Sequence, residues 1–104
     1  MIKVSVFYEN SDGKKFDMVY YCNKHIPMIK EKLGTACKRV EVDQGLGGAQ
    51  PGSKLAFVAM AHLFFDSVET FQKAFGPHAA TIMGDVPNYT DIQPIVQISN
   101  VMPM

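Results

Sequence analysis

Residues 55–65, Leu-Ala-Phe-Val-Ala-Met-Ala-His-Leu-Phe-Phe, are apolar at every position but His62. The run is far shorter than the roughly 20 residues that cross a bilayer. It reads instead as a central strand of a sheet, covered on both faces. One face carries Phe57, Ala59, Ala61, Leu63 and Phe65, with alanines small enough for a helix to come close; the other carries Val58, Met60, His62 and Phe64. His62 is therefore expected to point away from the helices.

The remaining segments arrange themselves around that strand. Ile2, Val4, Val6 and Tyr8 alternate with Lys3, Ser5 and Phe7, a strand ended by Asn10-Ser11-Asp12-Gly13. Asp17 can cap a helix whose apolar positions Met18, Cys22, Ile26, Ile29 and Leu33 fall within an arc of about 80°, with Gly34 as its stop. Pro27 cannot donate to the carbonyl of Asn23, so a bend is expected near His25. Residues 36–44, with Val40 and Val42 against Arg39, Glu41 and Asp43, read as a strand near an edge. Gly45 to Gly52 has a superficial phosphate-loop look but runs through Ser53-Lys54 into a strand, so it is a hairpin loop or lid. Asp66 or Ser67 caps a second helix with a stripe of Val68, Phe71, Phe75, Ala79 and Ile82, broken at Gly76-Pro77. The last strand is expected over about residues 91–101, with Ile92, Val96 and Ile98 opposing Gln93, Gln97 and Ser99.

The order βαββαβ implies an α+β domain: one four-stranded antiparallel sheet with both helices on one face. That leaves Phe7, Met60, Phe64 and Ile95 on an uncovered face, and pairing with the sheet of a second copy is the expected solution. At 104 residues the chain is one domain, with about two-thirds of its surface available for burial. Ten basic side chains balance ten acidic ones, so there is no field to attract nucleic acid. Two cysteines outside any CxxC pair and no visible export signal point to a reducing cytoplasm, and no membrane association is expected.

Tyr21 and His25 lie four residues apart on one helical face, with His25 about 20° outside the apolar stripe. At that rim a partly desolvated imidazole can act as a general base near neutral pH, or merely satisfy a buried carbonyl. His62, in its greasy strand, needs a partner or a polar cavity; a hydrogen-bonded core histidine is the plainer alternative. His78, after Gly76-Pro77, is a third candidate, with a solvated or capping role as the alternative. The three histidines with Asp85 or Asp91 lack HxxxH or HxH spacing, so no metal is expected. Cys22 reads as a small hydrophobe of the helix stripe, and no serine sits in a nucleophile elbow. Seven methionines and eleven aromatic residues suit an adaptable apolar pocket for a flat ligand.

Phe16-Asp17-Met18-Val19-Tyr20-Tyr21 with His25-Ile26-Pro27, Phe71-Gln72-Lys73-Ala74-Phe75-Gly76-Pro77-His78-Ala79, Gly84-Asp85-Val86-Pro87-Asn88-Tyr89-Thr90-Asp91 and Gln97-Ile98-Ser99 together resemble the EthD family, named for ethyl tert-butyl ether degradation. The family's Tyr-x-x-x-His-x-Pro pattern falls on Tyr21, His25 and Pro27, and its Gly-Pro-His pattern on Gly76, Pro77 and His78. The resemblance implies a ferredoxin-like fold dimerising into an α/β barrel. Similar barrels include cofactor-independent monooxygenases, isomerases, haem-degrading enzymes and proteins without assigned activity. The expectation is a homodimer binding a small hydrophobic or aromatic metabolite between sheet and helices, without a cofactor. His25 and Tyr21 are its catalytic candidates, and His62, His78, Phe7, Met60 and Phe64 its binding candidates. The alternatives are an auxiliary protein serving an oxygenase partner of cytochrome P450 type in xenobiotic degradation, and a haem-binding barrel.

Overall fold

A computed structural model describes all 104 residues. Four strands, β1 (Ile2–Glu9), β2 (Arg39–Gln44), β3 (Phe57–Phe65) and β4 (Ile95–Asn100), form one antiparallel sheet in the order β2-β3-β1-β4. The apolar run of β3 is central, as its composition requires, and the mixed strands β2 and β4 form the edges. Between β1 and β2 the chain is helical over α1 (Met18–Tyr20), a π-helical turn (Tyr21–His25) and α2 (Ile26–Leu33). Between β3 and β4 it forms α3 (Val68–Phe75), a 3₁₀ turn at Gly76–His78 and α4 (Ala79–Gly84). No helix is long and apolar enough to cross a membrane.

The bend expected near His25 is the π turn. Pro27 has no N–H for the Asn23 carbonyl, and just before it the N–H of Ile26 reaches back to the carbonyl of Tyr21, five residues away. The extra residue rotates the preceding turn relative to α2. The apolar stripe counted at a regular helical period is corrected accordingly: Cys22 is exposed, and Tyr21 and His25 take the inward positions beside Ile26, Ile29 and Leu33. His25 is thus not at a rim but 2% exposed.

The sheet's helix-facing side carries Val4, Tyr8, Ala59, Ala61, Leu63 and Phe65, all in the buried core. At its start β3 bulges. Tyr8 pairs with Ala59 but Glu9 with Phe57, so Val58 has no partner across the strand. This reverses two expected faces, since Val58 packs on the core and Phe57 meets Phe7 on the uncovered side, ring centres 5.2 Å apart. Val68, expected in the second helix's stripe, is 39% exposed. The last strand begins only at Ile95. Residues 90–92 are held back by the Thr90 hydroxyl, which donates to the Lys15 carbonyl and accepts from the Ile92 N–H, and Pro94 lacks a donor for the ladder.

The opposite face has no helix on it and is less bare than its composition suggests. Phe64 is 7% exposed, capped by the Arg39 guanidinium 4.2 Å above its ring. His62 bonds Ser5 across the strand pair at 2.8 Å and lies 3.5 Å from Asp43. The molecule is a slab of 41 × 36 × 19 Å. Its surface of 6626 Å² exceeds the roughly 5,800 Å² usual for a monomer of its mass.

Ser67, not Asp66, caps α3, accepting the Thr70 N–H at 3.1 Å. Replacing Ser67 by Ala is expected to lower stability by about 1 kcal/mol, seen in urea unfolding as a lower midpoint with an unchanged slope.

Candidate functional site

Between the helices and the sheet lies a cavity of about 210 Å³, and 16 of its 18 lining residues are hydrophobic. Its floor is Val4, Val6, Ala61 and Leu63 of the two central strands, and its roof includes Ile26 and Ile29 of α2, Phe71 and Phe75 of α3 and Ile82 of α4. Ala61 of β3 leaves the space: a larger side chain there would project into it. Met83 and Val96, 44% and 52% exposed, mark the mouth between α4 and the edge strand β4.

The polar groups are gathered at one end. Tyr8 comes from β1, Tyr21 and His25 from the π turn, and Tyr89 from the segment after the 3₁₀ turn Val86–Asn88. They form a chain. Asp85 Oδ2 accepts from His25 Nδ1 at 2.9 Å; His25 Nε2 faces the Tyr89 hydroxyl at 3.4 Å; and the Tyr89 and Tyr8 hydroxyls share a 2.6 Å bond. The Tyr21 ring stacks on the imidazole, centres 5.5 Å apart, and its hydroxyl adjoins that of Tyr8. On the outer side, Tyr20 and Asn88 donate to Asp85 Oδ1 at 2.7 and 2.8 Å. The carboxylate, 18% exposed, joins the buried histidine to a polar surface cleft that includes Lys24 and Thr81.

This geometry fixes protonation. A carboxylate only accepts, so Nδ1 carries the histidine proton and Nε2 is left as a basic lone pair turned inward. Burial pushes the His25 pKa below its ordinary 6.5, outweighing the opposing pull of Asp85. For Asp85, burial acts upward but is overcome by hydrogen bonds from Asn88, His25 and Tyr20, which hold it below the usual carboxylate range. Desolvation and neighbouring hydroxyls raise Tyr21 and Tyr89 far above the normal phenol range, and burial raises Tyr8. At neutral pH the site therefore holds a neutral imidazole, an ionised carboxylate and three protonated phenols.

The structure brings His25 and Tyr21 together and sets the other candidates apart. His62, Phe7, Met60 and Phe64 lie on the far side of the sheet, and none lines the cavity. His78 sits in the 3₁₀ turn, half-buried, and does not line it either. The hairpin loop, read as a hairpin or lid, contributes no lining residue. No three His, Cys, Asp or Glu side chains gather where they could hold a metal. Asp91, grouped with Asp85 in the sequence, instead accepts the Lys15 N–H at 2.8 Å. Asp85, Tyr89, Tyr8 and Tyr20 did not stand out as site residues. Tyr8 carried one signal, a phenol on an otherwise aliphatic strand face, where its hydroxyl needs a partner.

The model of the EthD domain matches residues 14–93, a span that includes Tyr21, His25, Asp85 and Tyr89. The chain belongs to the EthD family. Among solved structures, an EthD-like protein from Ralstonia eutropha JMP134 is 48% identical with a TM-score of 0.93, over 98% of this EthD chain and 92% of the other. An ethyl tert-butyl ether degradation (EthD) family protein from Bacillus halodurans C-125 is 20% identical, with a TM-score of 0.68 over 98% and 99% of the two chains. A dimeric ferredoxin-like protein of unknown function from Thermobifida fusca YX, 12% identical, shares the fold at a TM-score of 0.58 over 96% and 90%. The EthD chain is thus ferredoxin-like in architecture. No protein with a curated description matches it.

Two titrations check the electrostatics. By ring ¹⁵N NMR, His25 is expected to show the Nδ1–H tautomer and a midpoint below 6.5, and Asp85→Asn, which removes the opposing charge, to lower that midpoint further. Unfolded chains protonate this histidine first, so stability is expected to fall as pH drops from about 6.5 to the folded-state value. A second loss follows at lower pH as Asp85 protonates through its depressed pKa, and urea midpoints against pH read both.

Proposed function

We propose that this EthD protein is a homodimer that binds a small aromatic or otherwise flat hydrophobic metabolite in the cavity between sheet and helices, with His25 as its polar and chemical centre. The observation that carries the reading is a buried apolar cavity whose one polar end is a carboxylate–imidazole–phenol chain. An apolar cavity of about 150 Å³ accommodates benzene, so about 210 Å³ suits one ring with a substituent and not the four pyrroles of a haem. The homodimer is supported by the slab shape, the surplus surface and a sheet face that carries Phe7 and Met60 with no helix over them.

The chemistry this arrangement suits is proton transfer without a cofactor. Nε2 of His25 takes a proton from an acidic O–H or C–H of the bound molecule, and Asp85 stabilises the imidazolium that forms. The phenol hydroxyls hydrogen-bond the resulting oxyanion, and the same nitrogen returns the proton, at a different atom if the product is an isomer. All atoms balance within the ligand and one histidine.

Native mass spectrometry is expected to give twice the chain mass, and titration with one-ring aromatics to show saturable binding of one ligand per chain. Ala61→Leu, which fills the cavity from its floor, is expected to weaken that binding at least about tenfold with the far-ultraviolet circular dichroism retained. A monomeric mass would remove the dimer. No binding by any aromatic would remove the pocket assignment.

A further inference from the structure

We infer that the cavity selects neutral one-ring ligands that bring a hydroxyl proton, phenols above all, over rings of the same shape that cannot donate one. The inference rests on the pocket assignment above and names the class of molecule that fits it.

It follows from counting donors and acceptors at the polar end. Three hydroxyl protons are present, on Tyr8, Tyr21 and Tyr89, and the imidazole's own proton is committed to Asp85 at 2.9 Å. Tyr89 has one proton and two neighbours. Its contact with Tyr8 is short, 2.6 Å, whereas its contact with His25 Nε2 is 3.4 Å, beyond the usual 2.7–3.2 Å of a hydrogen bond to nitrogen. If Tyr89 donates to Tyr8, nothing donates to Nε2; if it donates to Nε2, the bond is long. In both arrangements the strongest base in the cavity has a weak partner, which an incoming hydroxyl improves.

The phenol chain can accommodate that exchange. When a ligand hydroxyl takes Nε2, Tyr89 gives its proton wholly to Tyr8 at 2.6 Å, and the Tyr8 ring lies beside that of Tyr21, centres 5.5 Å apart. Tyr21 and Tyr89 rings flank the imidazole, and Phe71 and Phe75 line the apolar part, so the bound hydroxyl sits on a flat, aromatic body. Anions are disfavoured, because no Lys or Arg lines the cavity and His25 is neutral there.

The test compares p-cresol, p-xylene and 4-methylanisole by isothermal titration at pH 7.5. The three have nearly the same shape, but only p-cresol donates a proton, and 4-methylanisole offers an acceptor alone. A purely apolar cavity prefers p-xylene, because burying an unpaired hydroxyl is penalised. The expected result is the inverse order, with p-cresol about tenfold tighter than either of the others. The His25 Nε2 resonance in ring ¹⁵N spectra is also expected to shift with p-cresol and to stay in place with p-xylene. In His25→Phe, which keeps a flat ring and removes the acceptor, the preference is expected to vanish. Equal affinities, a preference for p-xylene, or a p-cresol preference that survives in His25→Phe overturns the inference while leaving the pocket assignment standing. Failure of all three to bind overturns the pocket assignment itself, and the inference with it.

Discussion

One missing donor organises the site. Pro27 cannot supply the N–H that a regular helix would give to the Asn23 carbonyl, and the chain takes up the slack as a π turn closed by Ile26 and Tyr21. That single added residue decides which side chains of the preceding turn face the sheet. In a regular helix Cys22 would share the inward stripe and His25 would stand at its edge. With the π turn, Tyr21 and His25 both face inward, and the imidazole reaches the carboxylate of Asp85, sixty positions along the chain. The Asp85–His25 bond also ties the first helical segment to the second half of the chain near the cavity mouth.

The sheet supplies the other half of the site by what it lacks. Ala59 and Ala61 are 1% exposed and provide almost no side-chain volume where a core strand would usually carry valine or isoleucine. Leu63 and Phe65 of the strand share one core with Ile29 and Leu33 of α2, and the space left beside Ala61 is the cavity. No fully buried side-chain nitrogen or oxygen there lacks a partner, and the longest of these contacts is the one at His25 Nε2. The network is therefore a folded-state element, and under the proposed function it is also the chemical one. Tyr20 and Asn88 belong to it as much as His25, because they hold the carboxylate that sets the imidazole's tautomer.

Most of the architecture was legible in the sequence because it rests on local periodicity. The central place of β3, the edge character of β2, the break at Gly76-Pro77 and the disturbance before Pro27 all follow from side-chain pattern and from what proline and glycine permit. The resemblance in the Tyr21–His25–Pro27 and Gly76-Pro77-His78 blocks named the family that the comparisons then showed. What failed were phase and distance. A one-residue bulge at Val58 and a one-residue π insertion each rotate neighbouring side chains, and no hydrophobic pattern records them in advance. His25 and Tyr21 were found by spacing, but Asp85 and Tyr89 meet His25 only through tertiary packing, across 60 and 64 positions of chain, and Tyr8 meets Tyr89 across 81. His62 illustrates the converse. A histidine in an apolar strand demanded a partner, and Ser5 with Asp43 met the demand on the side of the sheet away from the cavity.

The cavity also sets the protein's margin against unfolding. At about 24 cal/mol per Å³, a space of about 210 Å³ forgoes about 5 kcal/mol of packing. That is comparable to the whole stability of many small domains. A molecule that fills the space returns part of this to the folded state alone, by mass action, and unfolded copies are what proteases remove. Any molecule that the proposed pocket binds is thereby expected to raise the unfolding midpoint in step with its concentration.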